Sequence, residues 1–292
     1  MHIYKQYDKE SLDQQYNNRL NAPDHEIHLK RWESLSREVE KKYSVIKDIK
    51  YGKDSHEKLT IFPSQQPNAK TLVFIHGGYW YKHVASDFYL IAEAFRLYGF
   101  TTVLIDYPLM PEYSMNQLVD SCRKAISWVN QNITQYNGNP DQVYVAGHSA
   151  GGHLATMMMA TNWPQFNPNL TDDVIKGVCA ISGLYNLVPI QLCNVNEILK
   201  MDKESALLNS PVRLLPKTLC PLVLAVGAEE TAEYLSQSRQ LSDRWTKQDS
   251  SIELIEIAGL NHFSILETML KPSSTLHQAM CHLMQIDNKP II

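Results

Sequence analysis

Eight short strand-like runs alternate along the chain with helical patterns, and this alternation limits the fold more than any other feature. The runs are 46–51, 58–62, 71–75, 101–105, 142–146, 177–181, 221–226 and 252–257. Helical patterns cover 87–98, 115–131, 150–160, 231–245 and 275–284. Strands that are apolar along their length and separated by helices predict an α/β fold, with a mostly parallel central sheet and helices on both faces. We expect the first two runs to be antiparallel neighbours at one sheet edge.

The segment before the first run is polar and charged, but one face of it is apolar. That face consists of Leu29, Trp32, Leu35 and Val39. Their spacing predicts an amphipathic helix between about residues 8 and 43. We interpret 1–45 as an N-terminal helical arm packed on a single domain, 46–292, because apolar stripes usually bury themselves. Binding of a partner by this helix is the alternative.

One stretch, 183–216, interrupts the alternation with three prolines and only short helical pieces. It lies between two predicted strands. Insertions at such a place lie over the carboxyl ends of the sheet, where open α/β folds bind ligands. The stretch is therefore a candidate lid or pocket wall, with a surface excursion as the alternative.

Charge and composition exclude several classes of partner. A net charge of -4 and an isoelectric point near 6.3 provide no basic surface for nucleic acid or an anionic membrane. No stretch approaches the roughly 20 apolar residues that cross a bilayer, and the first residues lack the apolar core of a signal peptide. The five cysteines are scattered without metal-ligand spacing. We expect a cytoplasmic protein with a small-molecule substrate and no metal or other cofactor, and the sequence leaves a homodimer open.

Ser149 stands in Gly147-His148-Ser149-Ala150-Gly151, between an apolar strand and a helix. This is the G-x-S-x-G motif in the strand–turn–helix context that gives it meaning. Such a turn forces the serine into a strained backbone conformation, and glycines avoid collisions with the strand and helix packed beside it. We therefore predict that Ser149 is a nucleophile, with its hydroxyl at the amino end of a helix.

A serine hydroxyl is a weak nucleophile until a base removes its proton, so the motif requires a histidine and an acid. In chains with this motif the acid and then the histidine follow in sequence. Run 221–226 leads into Glu229 and Glu230, and run 252–257 leads into His262. We predict Glu230 as the acid and His262 as the base, with Glu229 as the alternative acid. The competing histidines are His76, His148, His153, His277 and His282.

A second motif, His76-Gly77-Gly78-Tyr79-Trp80, follows the run 71–75 directly. Glycines let a loop turn its main-chain N–H groups inward, toward the oxyanion of a tetrahedral intermediate. We expect Gly77, Gly78 and Ala150 to form the oxyanion hole, and His76 to brace the loop. Tyr79 and Trp80 are candidate substrate contacts, because large aromatic side chains there would form an apolar wall; simple packing is the alternative.

These motifs together resemble the kynurenine formamidase (arylformamidase) branch of the α/β hydrolases. The Tyr-Trp ending at 79–80 separates that branch from broader lipase and esterase relatives, which share only His-Gly-Gly. Glu230 and Asn186 stand where aspartate is usual in the family. The resemblance extends over nearly the whole chain and rests on 76–80, 106–112, 147–155, 181–187, 227–231 and 262–265.

The resemblance implies an α/β-hydrolase fold and a metal-independent serine hydrolase of tryptophan breakdown. It implies cleavage of N-formyl-L-kynurenine to formate and L-kynurenine through a formyl-enzyme intermediate, so the expected substrate is an aryl formamide. The first alternative is a carboxylesterase of small acyl esters with the same catalytic residues. The second is a non-catalytic binding protein built on the same scaffold.

Overall fold

The computed structural model describes residues 1–248 and 251–286, and eight strands within them form one sheet. The strands are β1 Ile46–Lys50, β2 Lys58–Phe62, β3 Ala69–Ile75, β4 Thr101–Ile105, β5 Gly138–His148, β6 Gly177–Ile181, β7 Leu222–Gly227 and β8 Ile252–Ile257. Their spatial order is β1-β2-β4-β3-β5-β6-β7-β8. The pairs β1–β2 and β2–β4 are antiparallel, and the other five pairs are parallel. The predicted mostly parallel sheet and its antiparallel edge are confirmed.

Thirteen α-helices lie within the described ranges, several of them a single turn long. They are α1 Lys9–Tyr16, α2 Asn18–Asn21, α3 His25–Lys42, α4 Ile91–Ala94, α5 Met115–Asn132, α6 Ala150–Met159, α7 Trp163–Phe166, α8 Val188–Leu192, α9 Asn196–Leu199, α10 Lys203–Leu208, α11 Ala232–Thr246, α12 Ser264–Glu267 and α13 Thr275–Leu283. Short 3₁₀ helices add Ala85–Phe88, Arg96–Tyr98, Ile133–Tyr136, Pro211–Arg213 and Thr268–Leu270.

Two apolar cores lie on opposite faces of the sheet because successive side chains of a strand point to opposite sides. In β3, Val73 and Ile75 belong to one core, and Leu72 and Phe74 belong to the other. Helices α5, α6 and α11 contribute to the first core, and α3, α12 and α13 contribute to the second. All central strands are therefore covered on both faces, which explains their continuous apolar sequences.

The segment before β1 reaches both cores. Leu12 and Tyr16 of α1 are buried in the first core, whereas Trp32 and Val39 of α3 are buried in the second. The three helices α1–α3 therefore pass from one face of the sheet to the other. The division of the chain at residue 45 stays a prediction.

The prediction of one helix between residues 8 and 43 is wrong in its extent. Asn17 caps α2 with its side chain, and Ala22 ends it with the non-helical angles φ −131° and ψ 86°. Ala22 precedes Pro23, and the proline ring disfavours helical geometry in the residue before it. The apolar stripe read from the sequence belongs to α3 alone.

The continuous helix predicted for 87–98 is also wrong, because this stretch is broken into α4 and two 3₁₀ helices. The hydroxyl of Ser36, in α3, donates to the Asp87 carbonyl at 3.0 Å and accepts the Leu90 N–H at 3.1 Å. A side chain inserted between main-chain groups in this way interrupts a helical hydrogen-bond ladder. The interruption comes from a residue about fifty positions away, so no local pattern could reveal it.

We expect Phe74→Ala to lower the free energy of unfolding by about 3–5 kcal/mol, because it empties a fully buried site in the second core. Leu219→Ala is the matched control: Leu219 is 67% exposed, and its truncation should cost less than about 0.5 kcal/mol. Urea unfolding followed by circular dichroism measures both values. Equal losses in the two variants would contradict the placement of Phe74 in the core.

Candidate active site

Ser149 lies at the turn between β5 and α6, with φ 57° and ψ −119°. A positive φ is unfavourable for a residue with a Cβ atom and persists only where the surroundings impose it. Here the Ser149 N–H donates to the Ile181 carbonyl of β6 at 2.8 Å, and the Ser149 carbonyl accepts the His153 N–H at 3.1 Å. These two bonds fix the turn between the sheet and the helix.

The two motif glycines allow the main chains around this turn to approach closely. A Cβ on Gly151 would lie 1.9 Å from the carbonyl oxygen of Ile75, in β3. A Cβ on Gly147 would lie 2.2 Å from the carbonyl oxygen of Gly151. Both distances are far below any tolerable contact, so only glycine fits at these positions.

Ser149, His262 and Glu230 form one hydrogen-bonded line, and all three are buried. The distance between Ser149 Oγ and His262 Nε2 is 3.0 Å, and that between His262 Nδ1 and Glu230 Oε2 is 2.7 Å. An ionised carboxylate only accepts, so these partners assign the ring proton to Nδ1 and leave Nε2 to accept the serine hydroxyl. The line has the geometry in which histidine takes a proton from serine.

The second carboxylate oxygen of Glu230 is also hydrogen-bonded. Its Oε1 accepts hydrogen bonds from the Ser182 hydroxyl and from the Gly227 N–H, the latter at 2.9 Å. The alternative acid, Glu229, is exposed, and its N–H donates to the Leu260 carbonyl at 3.0 Å. The structure thus brings Glu230 to His262. Ser182 follows β6 far from both in the chain, and its place in the segment 181–187 of the family resemblance was the available sequence signal.

Two further neighbours of His262 were missed by the sequence reasoning. His148 Nε2 donates to the main-chain carbonyl of His262 at 2.8 Å, and burial together with the nearby imidazole of His262 holds the pKa of His148 well below its usual range. Tyr234 packs edge-on against the His262 ring, with ring centres 4.9 Å apart. The sequence signal that could have identified Tyr234 was its position, about one helical turn after Glu230.

The loop after β3 packs directly against the elbow. A Cβ on Gly77 would lie 2.8 Å from the His148 carbonyl oxygen and 3.1 Å from Ser149 Cβ. Gly78 has φ +112°, a conformation that side chains disfavour. No acceptor in residues 1–248 or 251–286 takes the N–H of Gly78 or of Ala150. These two N–H groups, one in the loop after β3 and one next to Ser149 in the chain, therefore keep their hydrogen-bonding capacity.

His76 lies beneath this loop. Its ring stacks on Tyr107 with centres 4.3 Å apart, and its Nδ1–H donates to the Gly77 carbonyl at 2.8 Å. Burial lowers the pKa of His76 to about 4, so the ring is neutral at physiological pH. These contacts are those of a loop brace, and none of them reaches Ser149.

The side chains of Tyr79 and Trp80 lie in different parts of the molecule, one in a cavity wall and the other in the first core. Tyr79 lines a cavity at Ser149, and its hydroxyl donates to the Tyr16 carbonyl at 2.5 Å. Trp80 is fully buried in the first core, where its Nε1–H donates to His153 Nδ1 at 3.1 Å. The expectation that Trp80 contacts substrate is corrected by this placement: the indole packs inside the domain and lies outside the cavity lining.

The cavity that contains Ser149 and His262 has a volume of about 430 Å³. Helices α1–α3 form one part of its wall, and the segment from α8 to α9 forms another through Cys193, Asn194, Val195 and Ile198. Of the two alternatives for 183–216, the structure therefore supports a pocket wall. The aromatic side chains around the cavity are Tyr16, Trp32, Tyr79, Tyr81, Phe88 and Phe263.

In 1–248 and 251–286, no group of three or more His, Cys, Asp and Glu side chains is arranged to hold a metal ion. No helix in the described part of the chain has the length and apolar character to cross a bilayer.

The parallel sheet, the strained serine turn and the Ser–His–Glu line define the class of protein. It is an α/β hydrolase, an enzyme that acts on amides or esters. The chain belongs to the BD-FAE family, whose model matches residues 59–244.

Known proteins refine this assignment. The kynurenine formamidase of Danio rerio is 29% identical over 92% of this chain and 94% of its own length. That of Salmo salar is 28% identical over 97% of this chain and 99% of its own. A candidate thioesterase of Silicibacter sp. TM1040 has a similar structure, with a TM-score of 0.80, 26% identity, and coverage of 91% of this chain and 97% of that one. The predicted resemblance to the kynurenine formamidases is confirmed.

We expect the free energy of unfolding to fall as the pH drops from 6.5 to 4, partly because of His153. Its Nδ1 accepts the Trp80 N–H and its Nε2–H donates to the Asn209 carbonyl at 2.8 Å, so the folded protein requires the neutral ring. Burial lowers its pKa from 6.5 to about 4. The unfolded chain therefore takes up the proton first, and about 3 kcal/mol of stability present above pH 6.5 is lost by pH 4.

His153→Gln tests this expectation, because a glutamine amide can accept and donate without titrating. Chemical unfolding at several pH values should show a shallower decline in the variant than in the wild type, by close to one proton. An unchanged pH dependence would show that His153 does not contribute.

Proposed function

We propose that this hydrolase cleaves N-formyl-L-kynurenine to formate and L-kynurenine. The observation that carries the proposal is the cavity of about 430 Å³, in which aromatic side chains surround the serine and its histidine. That volume falls within the range of small-molecule sites, and the aromatic wall suits an aryl group. The likeness to two kynurenine formamidases over nearly their full lengths supports the same substrate.

In the first step Ser149 Oγ attacks the formyl carbon. Its proton passes to His262 Nε2, 3.0 Å away, and the Glu230 carboxylate stabilises the resulting imidazolium across 2.7 Å. Because both carboxylate oxygens of Glu230 are engaged, the imidazole keeps one orientation throughout.

The tetrahedral intermediate places negative charge on the former carbonyl oxygen. The N–H groups of Gly78 and Ala150, joined by that of Gly77, stabilise this charge, and one such donor contributes roughly 3–4 kcal/mol. Ala150 begins α6, so the positive end of the helix dipole adds to the effect.

Collapse of the intermediate breaks the bond between the formyl carbon and the aniline nitrogen. His262 donates the proton it took from Ser149 to that nitrogen, and L-kynurenine leaves. Water then attacks the formyl-enzyme with His262 as base, which releases formate and restores the serine hydroxyl.

Three further expectations from the sequence stay predictions: a cytoplasmic location, a homodimer and the lack of a nucleic-acid partner.

A carboxylesterase of small acyl esters is the second candidate, favoured by the structural likeness to a candidate thioesterase. The formamidase and carboxylesterase reactions differ only in the leaving group. A kcat/KM for N-formyl-L-kynurenine above that for short p-nitrophenyl esters supports the formamidase, and a large preference for the esters would refute it. A non-catalytic binding protein would hydrolyse neither.

Ser149→Ala should lower kcat on N-formyl-L-kynurenine by about 10⁴-fold or more, because the nucleophile is lost. Ser34→Ala, on the exposed side of α3, is the matched control and should keep wild-type activity. The release of free kynurenine, followed by absorbance, measures both. Full activity in Ser149→Ala would overturn the mechanism.

Glu230→Gln should lower kcat by about 10³- to 10⁴-fold with little change in KM, because an amide no longer fixes the imidazole in the required tautomer. The adjacent Glu229→Gln makes the same chemical change on an exposed side chain and should leave kcat within about twofold. Steady-state kinetics on one substrate compares the two variants. A greater loss in Glu229→Gln would reassign the acid.

A further inference from the structure

The cavity wall carries three residues with full charges, and one of the charges is already neutralised. Asp13 pairs with Lys9 Nζ at 2.7 Å and accepts the Asn194 N–H at 2.6 Å. The other two are the cations Arg19 and Lys82. Neither forms a salt bridge with any carboxylate in the described ranges. The wall therefore has a net positive charge.

The two cations lie at the outer part of the cavity. Arg19 and Lys82 are exposed, whereas Ser149 and His262 are buried, and all four line the same space. Aromatic side chains line the space as well. A molecule that reaches Ser149 with a reactive group therefore lies along aromatic side chains and extends its far end toward positive charge.

Both cations are attached to well-held parts of the site. Arg19 follows Asn18, whose amide donates to the hydroxyl of the buried Tyr234 at 2.8 Å. The Lys82 N–H donates to the Gly78 carbonyl at 3.0 Å, and its ammonium lies 4.7 Å from the centre of the Tyr81 ring, in the cavity wall. The two side chains thus start from fixed positions in α2 and in the loop after β3.

We propose that Arg19 and Lys82 bind a carboxylate at the end of the substrate remote from the bond that breaks, and so select aryl substrates that carry this carboxylate over those that lack it. The inference rests on the proposed function, in which the α-carboxylate of the kynurenine part is that group. A guanidinium binds a carboxylate through two parallel hydrogen bonds, and an ammonium adds a point charge. The proton transfers at Ser149 do not involve either cation.

The test replaces each cation by glutamine, in Arg19→Gln, Lys82→Gln and the double variant. N-formyl-L-kynurenine is compared with its α-carboxamide and with N-formylaniline, which both lack the negative charge. We expect kcat/KM on N-formyl-L-kynurenine to fall about tenfold in each single variant and about 100-fold in the double variant, mainly through KM, since the contact is remote from the reacting atoms. Neither substrate that lacks the carboxylate should lose more than twofold in kcat/KM.

Lys41→Gln is the matched control, because Lys41 is exposed on α3 and lies outside the cavity lining. It should leave all three substrates unaffected. Raising the ionic strength should weaken turnover of N-formyl-L-kynurenine by the wild type, because salt screens the contact between its carboxylate and the two cations, and should have little effect in the double variant. Equal losses on substrates with and without the carboxylate, or no loss on any, would overturn the proposal.

A second measurement keeps this inference separate from the proposed function. With p-nitrophenyl acetate as reporter substrate, 4-phenylbutyrate should inhibit the wild type about tenfold more tightly than the neutral 4-phenylbutanamide. That preference should vanish in the double variant. Equal inhibition of the wild type by the two compounds would refute the anion site. Failure to hydrolyse N-formyl-L-kynurenine, with the inhibitor preference intact, would refute the proposed function alone.

Discussion

The close approach of three main-chain segments at the elbow is the constraint on which the rest of the site depends. Gly151 lies so near the Ile75 carbonyl of β3 that a Cβ there would be 1.9 Å away, and two residues before it the chain passes through Ser149 at φ 57°. The same approach sets Gly77 against the serine. Backbone strain of this kind persists only where the surrounding packing imposes it, and here two parallel strands and a helix do so.

The helices that precede the sheet are part of this arrangement. Asn18 donates to the Tyr234 hydroxyl, which lies 3.1 Å from that of Tyr79, and Tyr79 donates to the Tyr16 carbonyl. Because Tyr234 packs on the His262 ring, one network of hydrogen bonds and ring packing joins the N-terminal helices, the loop after β3 and the histidine. A boundary at residue 45 divides the sequence, but the cavity is built from both sides of it.

The parts of the site that depend only on which residues follow each strand were predictable from the sequence. Strand ends meet at one edge of a parallel sheet, so Ser149, Glu230 and His262 could be chosen from the runs that precede them. The direction of a loop side chain could not, because Tyr79 and Trp80 both have positive φ and diverge, one to the cavity and one to the core. Part of the aromatic wall of the cavity is formed by Trp32, which belongs to none of the sequence motifs. The break in the predicted helix 87–98 depends on Ser36, a residue about fifty positions away in the sequence.

Labelling with a fluorophosphonate, followed by peptide mass mapping, tests the central claim that Ser149 is the nucleophile activated by this packing. We predict one adduct per chain, on Ser149, with hydrolysis lost in proportion to labelling, and no adduct in a His262→Ala variant. Modification of another residue, or undiminished hydrolysis by fully labelled protein, would contradict the account.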